Sequence, residues 1–448
     1  MEQREYVAAL DLGTSKILAM AASKDSEGVL TILATEKELS GTSIRRGVIY
    51  NVEDAANKVS SLISELDYKL RPKLKKIYVG IGGQSLRTMS HTIKKEMHGK
   101  SVDAQTINDL YEECRQYQPE LAEILDIVSP EYFLDGHLES NPVGVPCQII
   151  EVRFQLILGR PSLKATLRKS VEEKSKVEIA GFLISPLATA QAVLTSREKE
   201  LGCALIEFGA GVTYLSVYKG GLLRHLVAIP LGGNVITKDL CSANLLEVDA
   251  ENLKINKGNA LSEGDKEELT DIIIEARMNE ILANVIEQIR NSGYGSSLVE
   301  GIIITGGAAL LKNLRKSIET KTNLPVRLAT VNKSLISIKD ANNSQVDDPA
   351  STTIFGLLML STENCAKEVL KWEPKPEKEF SKGTGTIDLF GEEEQAPPTK
   401  TEPGGKRKKE KEPKKKGGFL SIFNTQIKKG VEGFARDLFE GEETNTDE

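Results

Sequence analysis

The stretch that most constrains this chain covers residues 204–217, ALIEFGAGVTYLSV. A short apolar run (Ala204, Leu205, Ile206) ends in Glu207, passes through Gly209, Ala210 and Gly211 to Thr213, and resumes as a second apolar run. The pattern predicts a strand, a tight glycine turn and a second strand. Glycine lets the backbone approach a ligand closely, and successive N–H groups in a tight turn form a concavity that suits an anion. An acidic residue at the strand end can orient a hydrated Mg²⁺. Taken alone, a Gly-x-Gly hairpin is more often a plain turn.

The pattern recurs near the N-terminus. Residues 6–10 form another apolar run, closed by Asp11, Leu12, Gly13, Thr14, Ser15 and Lys16 and followed by the apolar residues 17–22. An acid, glycine and hydroxyl hairpin thus occurs twice, which suggests two related halves. A third element, residues 301–305 (GIIIT), reads as a buried strand running into Gly306 and Gly307 and then a helical pattern, where a ribose or base could approach the backbone.

With these loops go two helical segments, residues 184–193 and 351–360, and together they resemble the actin, Hsp70 and sugar-kinase superfamily. More narrowly the chain resembles the FtsA family, bacterial division proteins that tether FtsZ to the membrane. The narrow match rests on SGTSIRRGVIYNVEDA (residues 40–55), IVSPEYFLDG with NPVG (127–136 and 141–144), VYKGGLLRHLVAIPLGGNVITKDL (217–240) and an amphipathic C-terminal end.

The resemblance implies an α/β, actin-like ATPase fold of two related halves with an inserted small α+β subdomain. It assigns 1–83 and 164–197 to subdomain 1A, 84–163 to subdomain 1C, 198–233 and 295–350 to subdomain 2A, 234–294 to subdomain 2B, and 351–372 to a helix returning to 1A. ATP with Mg²⁺ would lie between the halves, held by Asp11, Gly13, Thr14, Ser15, Lys16, Glu207, Gly209, Gly211, Thr213, Gly306 and Gly307. Asp11 and Glu207 would reach the metal through water, Lys16 would meet the phosphates, and Glu251, Lys254 and Lys257 would lie near the ribose and adenine. Self-association into filaments, contacts of subdomain 1C with other division proteins, and capture of the FtsZ C-terminal peptide by subdomain 2B, with Arg277 as the residue to test, complete the expectation. Two positions depart from the wider superfamily. Ser185 precedes Pro186 where a water-orienting glutamate is usual, and Glu207 replaces an aspartate. A shift of about 1 Å in a metal-oriented water can cost on the order of 10²-fold in rate, so ATP binding with slow or absent hydrolysis is expected.

Bulk properties agree with a globular body. The 448 residues allow two to four units, and 40% hydrophobic content supports sizeable cores. A net charge of -7 gives no overall attraction to nucleic acid. Cys114, Cys147, Cys203, Cys241 and Cys365 lack CxxC spacing, as expected of reduced thiols rather than a zinc site. The polar residues 1–4 and the interruption at Asp11 do not read as a signal peptide, and no apolar stretch reaches the length of a membrane span. The folded part is therefore expected in the cytoplasm. Strands alternating with helices over 1–83, among them a helix over 52–69, predict a layered α/β sheet. A periodic helix is expected over 267–289, with Leu269, Ile273, Ala276, Glu280, Ile281, Val285 and Ile289 dividing between its faces.

The C-terminal end is different in kind. Residues 373–416 are rich in Pro, Lys, Glu and Gly, and too poor in large apolar residues to order themselves. As a coil of about 44 residues, this linker spans roughly 35 Å. Behind the basic run 406–416 (KRKKEKEPKKK), Leu420, Phe423, Ile427, Val431, Phe434 and Leu438 recur at three and four, with Phe419, Ile422 and Phe439 widening the apolar side. An interfacial helix on an anionic inner membrane fits, each basic residue adding about 1 kcal/mol. Gly430, Gly433 and the acidic last residues oppose it, and docking on a partner is the other reading. The expected location is the cytoplasmic face of the membrane at the division site. A PilM-like actin-fold adaptor would not be expected to carry this tail. A sugar-kinase phosphotransferase would need a catalytic carboxylate facing a sugar pocket, and no such motif is present.

Overall fold

The computed structural model describes residues 5–261, 269–337 and 345–367. The linker and the tail residues Phe419, Leu420, Phe423, Ile427, Val431, Phe434 and Leu438 lie outside the described residues.

The chain begins with β1 (Val7–Leu12), β2 (Lys16–Lys24), β3 (Leu30–Leu39), β4 (Ile44–Arg45), β5 (Val48–Ile49), α1 (Val52–Lys69) and β6 (Lys76–Ile81). It continues through β7 (Arg87–Glu96), α2 (Ala104–Gln116), β8 (Glu123–Leu134), β9 (His137–Glu139), β10 (Ile149–Gly159), α3 (Leu163–Ser175), β11 (Glu178–Ile184), α4 (Ser185–Val193) and α5 (Ser196–Leu201). Then follow β12 (Cys203–Phe208), β13 (Thr213–Lys219), β14 (Leu222–Ile229), α6 (Gly233–Cys241), α7 (Glu247–Lys257) and α8 (Leu269–Asn291). The described part closes with β15 (Ile302–Thr305), α9 (Leu314–Thr322), β16 (Val326–Leu328), β17 (Ile336–Ser337) and α10 (Thr352–Leu360).

Two sheets repeat one plan. The first has the order β11-β6-β1-β2-β3-β17, and the second opens with β16-β15-β12-β13-β14. Antiparallel β1 and β2 pair Asp11 with Leu18 and Leu12 with Ile17, and antiparallel β12 and β13 pair Glu207 with Tyr214 and Phe208 with Thr213. The parallel neighbour of β1 is β6, which ends at Gly82 and Gly83; that of β12 is β15, which ends at Gly306 and Gly307. The second sheet runs on into β7-β10-β8-β9, joined through the single pair Val227 and Arg87. Those strands and α2 enclose their own core around Phe154, Val152, Leu156, Leu110 and Cys114.

Side chains on a strand alternate between faces, and β12 uses both. Cys203 and Leu205 pack into the core of the first half, while Ala204, Ile206 and Phe208 pack into that of the second. The same alternation on β13 sends Tyr214 and Tyr218 one way, Leu215 and Val217 the other.

Local signals explain most boundaries. Asn51 caps α1 by accepting from the Asp54 N–H at 3.0 Å, and Pro186 sits in the first turn of α4, where its missing N–H costs nothing. Other boundaries differ from the sequence expectation. Apolar runs at 124–128 and 132–134, which read alone as two short strands, form one strand, β8, whose register slips near Ser129, a residue with φ of 51°. The Ser129 hydroxyl accepts from Leu223 N–H at 3.0 Å, which ties the irregularity to β14. The helix expected directly after Gly307 is a short 3₁₀ turn, Gly307–Leu310; α9 starts only at Leu314, after Asn313 takes a left-handed conformation. On α8 the buried face is Ile274, Met278, Ile281, Leu282, Val285 and Ile289, whereas Leu269 is exposed. The stripe read from sequence holds from Ile281 onwards.

Candidate functional site

A cleft of about 360 Å³ opens where the two hairpins face each other. Both turns close identically: Gly13 N–H donates to Lys16 O at 3.1 Å, and Gly209 N–H donates to Val212 O at 3.0 Å. A Cβ on Gly13 would lie 2.8 Å from Lys16 O and one on Gly209 2.6 Å from Val212 O, so the turns exclude any larger residue. The register makes Asp11 the counterpart of Glu207 and Lys16 that of Val212. Each turn is braced from outside. Ser40 Oγ donates to Gly13 O at 2.6 Å, Gly47 N–H donates to Thr14 Oγ1 at 2.9 Å, and the carbonyls of Gly209 and Ala210 accept from Gly233 and Asn234 N–H at 2.9 and 2.8 Å.

Asp11, Gly13, Thr14, Ser15, Lys16, Glu207, Gly209, Gly211, Glu251, Lys254, Gly306 and Gly307 all line the cleft. Thr213 and Lys257 do not. Thr213 shares the face of Leu215 and Val217, is buried away from the cleft, and donates through Oγ1 to Leu231 O at 2.8 Å. Its hydroxyl only resembles that of the first hairpin, because in register it matches Ile17. Lys257 lies exposed near the end of α7. Lys254, one turn earlier, is buried, and its Nζ donates to Gly233 O, Thr237 Oγ1 and Glu251 Oε2 at 3.1, 2.8 and 2.6 Å. All three ammonium protons are thus engaged, and the lysine fixes Glu251 beside the cleft.

Sequence reasoning passed over several lining residues. Gly82 ends β6 as Gly306 ends β15, a correspondence visible only once the strands are aligned. Tyr214 and Thr353 were passed over too, and Ser185, read from the sequence as a departure, lines the cleft beside them. Lys16 Nζ lies 3.4 Å from Asp348 Oδ2 and 3.3 Å from Ser351 Oγ, partners from the segment leading into α10.

Electrostatics single out the two acids. Burial pushes Asp11 up to about 6, with Lys16 pulling the other way. Burial raises Glu207 to about 7, opposed by the Thr189 hydrogen bond, reinforced by the charge of Asp11 and opposed again by Thr353. Two mutually repelling carboxylates held away from water suit a divalent cation.

A family model described as cell division protein FtsA matches residues 204–356. The chain is 30% identical to the cell division protein FtsA of Porphyromonas gingivalis over 386 residues, spanning 80% of this chain and 78% of that protein. The chain belongs to the FtsA family. A second FtsA, from Neisseria meningitidis, is 27% identical over 380 residues, covering 80% of this chain and 90% of that one. Among solved structures, a chain of the PilM-PilN type IV pilus biogenesis complex superposes with a TM-score of 0.59 at 14% identity, over 80% of this chain and 98% of that one. That likeness concerns the actin-like fold. Membership of FtsA makes this a cell division protein, and the segment from β12 to α10 that carries the second hairpin is the part the family model covers.

Arg277, the residue singled out on α8 of this FtsA chain, forms a two-pronged pair with Asp239 of α6, at 2.5 and 3.1 Å, and a further pair with Glu280. Among the described residues, no helix is long and apolar enough to cross a membrane.

Proposed function

We propose that this chain binds ATP with Mg²⁺ in the cleft between its two sheets and acts as a polymerising scaffold that holds FtsZ at the cytoplasmic membrane. The observation that carries this is the matched pair of hairpins, Asp11 with Gly13 and Glu207 with Gly209, facing one cleft in the same register. Backbone N–H groups of 13–16 and 209–212 would cradle the phosphates, with Lys16 exchanging Asp348 for a phosphate oxygen. Asp11 and Glu207 would hold the hydrated cation; the ion, when bound, offsets phosphate charge. Glu251 would contact the ribose from its place beside Lys254.

Hydrolysis is slow in this reading. Ser185 lines the cleft but its short hydroxyl is a poor base for a water, and both buried acids bind protons more tightly than free carboxylates. Closure of the halves on nucleotide fixes a conformation able to join head to tail. The module of β7 to β10 contacts other division proteins, the surface of α8 takes the FtsZ C-terminal peptide, and the tail at 417–440 lies in the membrane interface.

Equilibrium binding of ATP with Mg²⁺ to the full chain tests the core of this. Lys16→Glu is expected to weaken uptake by about tenfold or more, and uptake unaffected by that change would remove the phosphate assignment. Flotation with anionic liposomes, full chain against one ending near residue 373, tests the tether; equal flotation would contradict it. Phosphate release well below about 1 s⁻¹ is expected, at or under the slow end of ordinary enzymes.

A further inference from the structure

The surroundings of Glu207 contain more than a cation site needs. Its Oε2 accepts from Thr189 Oγ1 at 2.9 Å and its Oε1 from Thr353 Oγ1 at 3.1 Å. The two hydroxyls are 2.9 Å apart, and Thr189 Oγ1 also lies 3.1 Å from Ser185 O. Thr189 belongs to α4 and Thr353 to α10. Both side chains are buried, and without the carboxylate their hydroxyls would have only each other and a helix carbonyl.

These helices are where the halves meet. α4 continues directly from β11 of the first sheet, and α10 follows the segment whose Pro349 O accepts from Gly306 N–H of the second. They cross so closely that a Cβ on Gly356 would lie 1.8 Å from Ala188 O. Glu207 reaches the crossing because alternation on β12 turns Cys203, Leu205 and Glu207 towards the first half. An aspartate, one methylene shorter, would stop short of both hydroxyls in this backbone.

We propose that Thr189 and Thr353 are positioning residues that set the place of the Glu207 carboxylate, and that this clasp couples the crossing of α4 and α10 to occupancy of the cleft. The coupling rests on the reading of the cleft as an ATP·Mg²⁺ site; the clasp itself does not. An occupant that draws the carboxylate towards the cleft strains both hydrogen bonds and so shifts the helix crossing. One that leaves it in place does not.

The full chain is compared with Thr189→Val, Thr353→Val and the matching Thr→Ser variants, using two measurements. In the nucleotide-free protein, backbone hydrogen exchange over 185–193 and 352–360 is expected to quicken about tenfold or more in the valine variants, to stay native in the serine variants, and to be unaltered over 149–159. The ratio of ATP affinities with Mg²⁺ and with EDTA is expected to shrink about tenfold in the valine variants and to recover with serine. Native exchange in both valine variants, or equal loosening in the serine variants, would overturn the clasp. A native chain that takes up no ATP would overturn the nucleotide reading and with it the coupling, while the exchange comparison still decides the clasp. Where a valine variant fails to fold, Glu207→Ala replaces it. Both acceptor oxygens are then gone, so exchange must still quicken over the same two helices, and native exchange would count against the clasp.

Discussion

The hydroxyl oxygen of Tyr214 accepts a 2.5 Å hydrogen bond from the backbone N–H of Gly83, joining β13 of the second sheet to the end of β6 in the first. Glycines make the approach possible: a Cβ on Gly82 would lie 2.8 Å from that hydroxyl and one on Gly47 3.1 Å. Tyr214→Phe leaves a buried donor unpaired at the base of the cleft. A loss of about 1–2 kcal/mol is expected from urea unfolding, with no change in the slope that reports exposed surface. A variant as stable as the parent would show that water replaces the phenol.

Gly356→Ala tests the helix crossing. The added methyl would sit 1.8 Å from Ala188 O, a backbone atom that cannot rotate away. The helices must separate, and a loss of about 3 kcal/mol or more is expected, near the upper end of overpacking penalties. Ala188→Gly does not relieve it, since the clash is with the carbonyl. The unfolding midpoints of the single and double variants check both statements.

The buried acids make stability depend on pH. Glu207 is raised from 4.5 to about 7 and Asp11 from 3.8 to about 6, so the folded chain holds more protons than the unfolded one between those values. Stability from these groups is therefore greatest at low pH and falls as pH rises through about 4 to 7. Urea midpoints in EDTA should show this slope, flatter in Glu207→Gln. Mg²⁺ with ATP should reverse the trend near pH 7, because a cation favours the ionised pair.

Arg277→Glu bears on the proposed FtsZ contact, and the Asp239 pairing shapes how it must be read. The change sets three acids together, with Asp239 and Glu280, at a partly exposed site, and a stability loss of about 1 kcal/mol is expected. Combining it with Asp239→Arg should restore the pair. Binding of the FtsZ C-terminal peptide, followed by fluorescence anisotropy, is expected to fall about tenfold in the single variant and to stay low in the pair-restored one. Recovery with the swapped pair would mean that Arg277 acts by holding α8 rather than by touching the peptide.

Elements that obey a local rule were legible directly. Helix α1 runs over Val52–Lys69 as its apolar spacing and Asn51 cap indicate, and both hairpins stand where acid and glycine follow an apolar run. Gly82 and Tyr214 were not legible as cleft residues, because nothing within a few positions of either distinguishes a strand end or core tyrosine from a binding residue. Thr213 misled for the converse reason. Its neighbourhood looks like that of the first hairpin, but a hydroxyl one place into the strand turns to the opposite face. Residue types alone do not give that register.

What the sequence by itself determined is the repeated hairpin and the identity of its two acids, since glycine turns and apolar strands follow from steric and solvation rules acting over a few residues. Only the tertiary structure decided that Glu207 meets Thr189 and Thr353, that Lys254 spends its protons on its own helix pair, and that Tyr214 reaches Gly83. Those contacts join residues 17 to 146 positions apart and link separate helices and sheets. Their existence depends on how strands register and helices cross, which is set by the packing of whole faces rather than by any one segment.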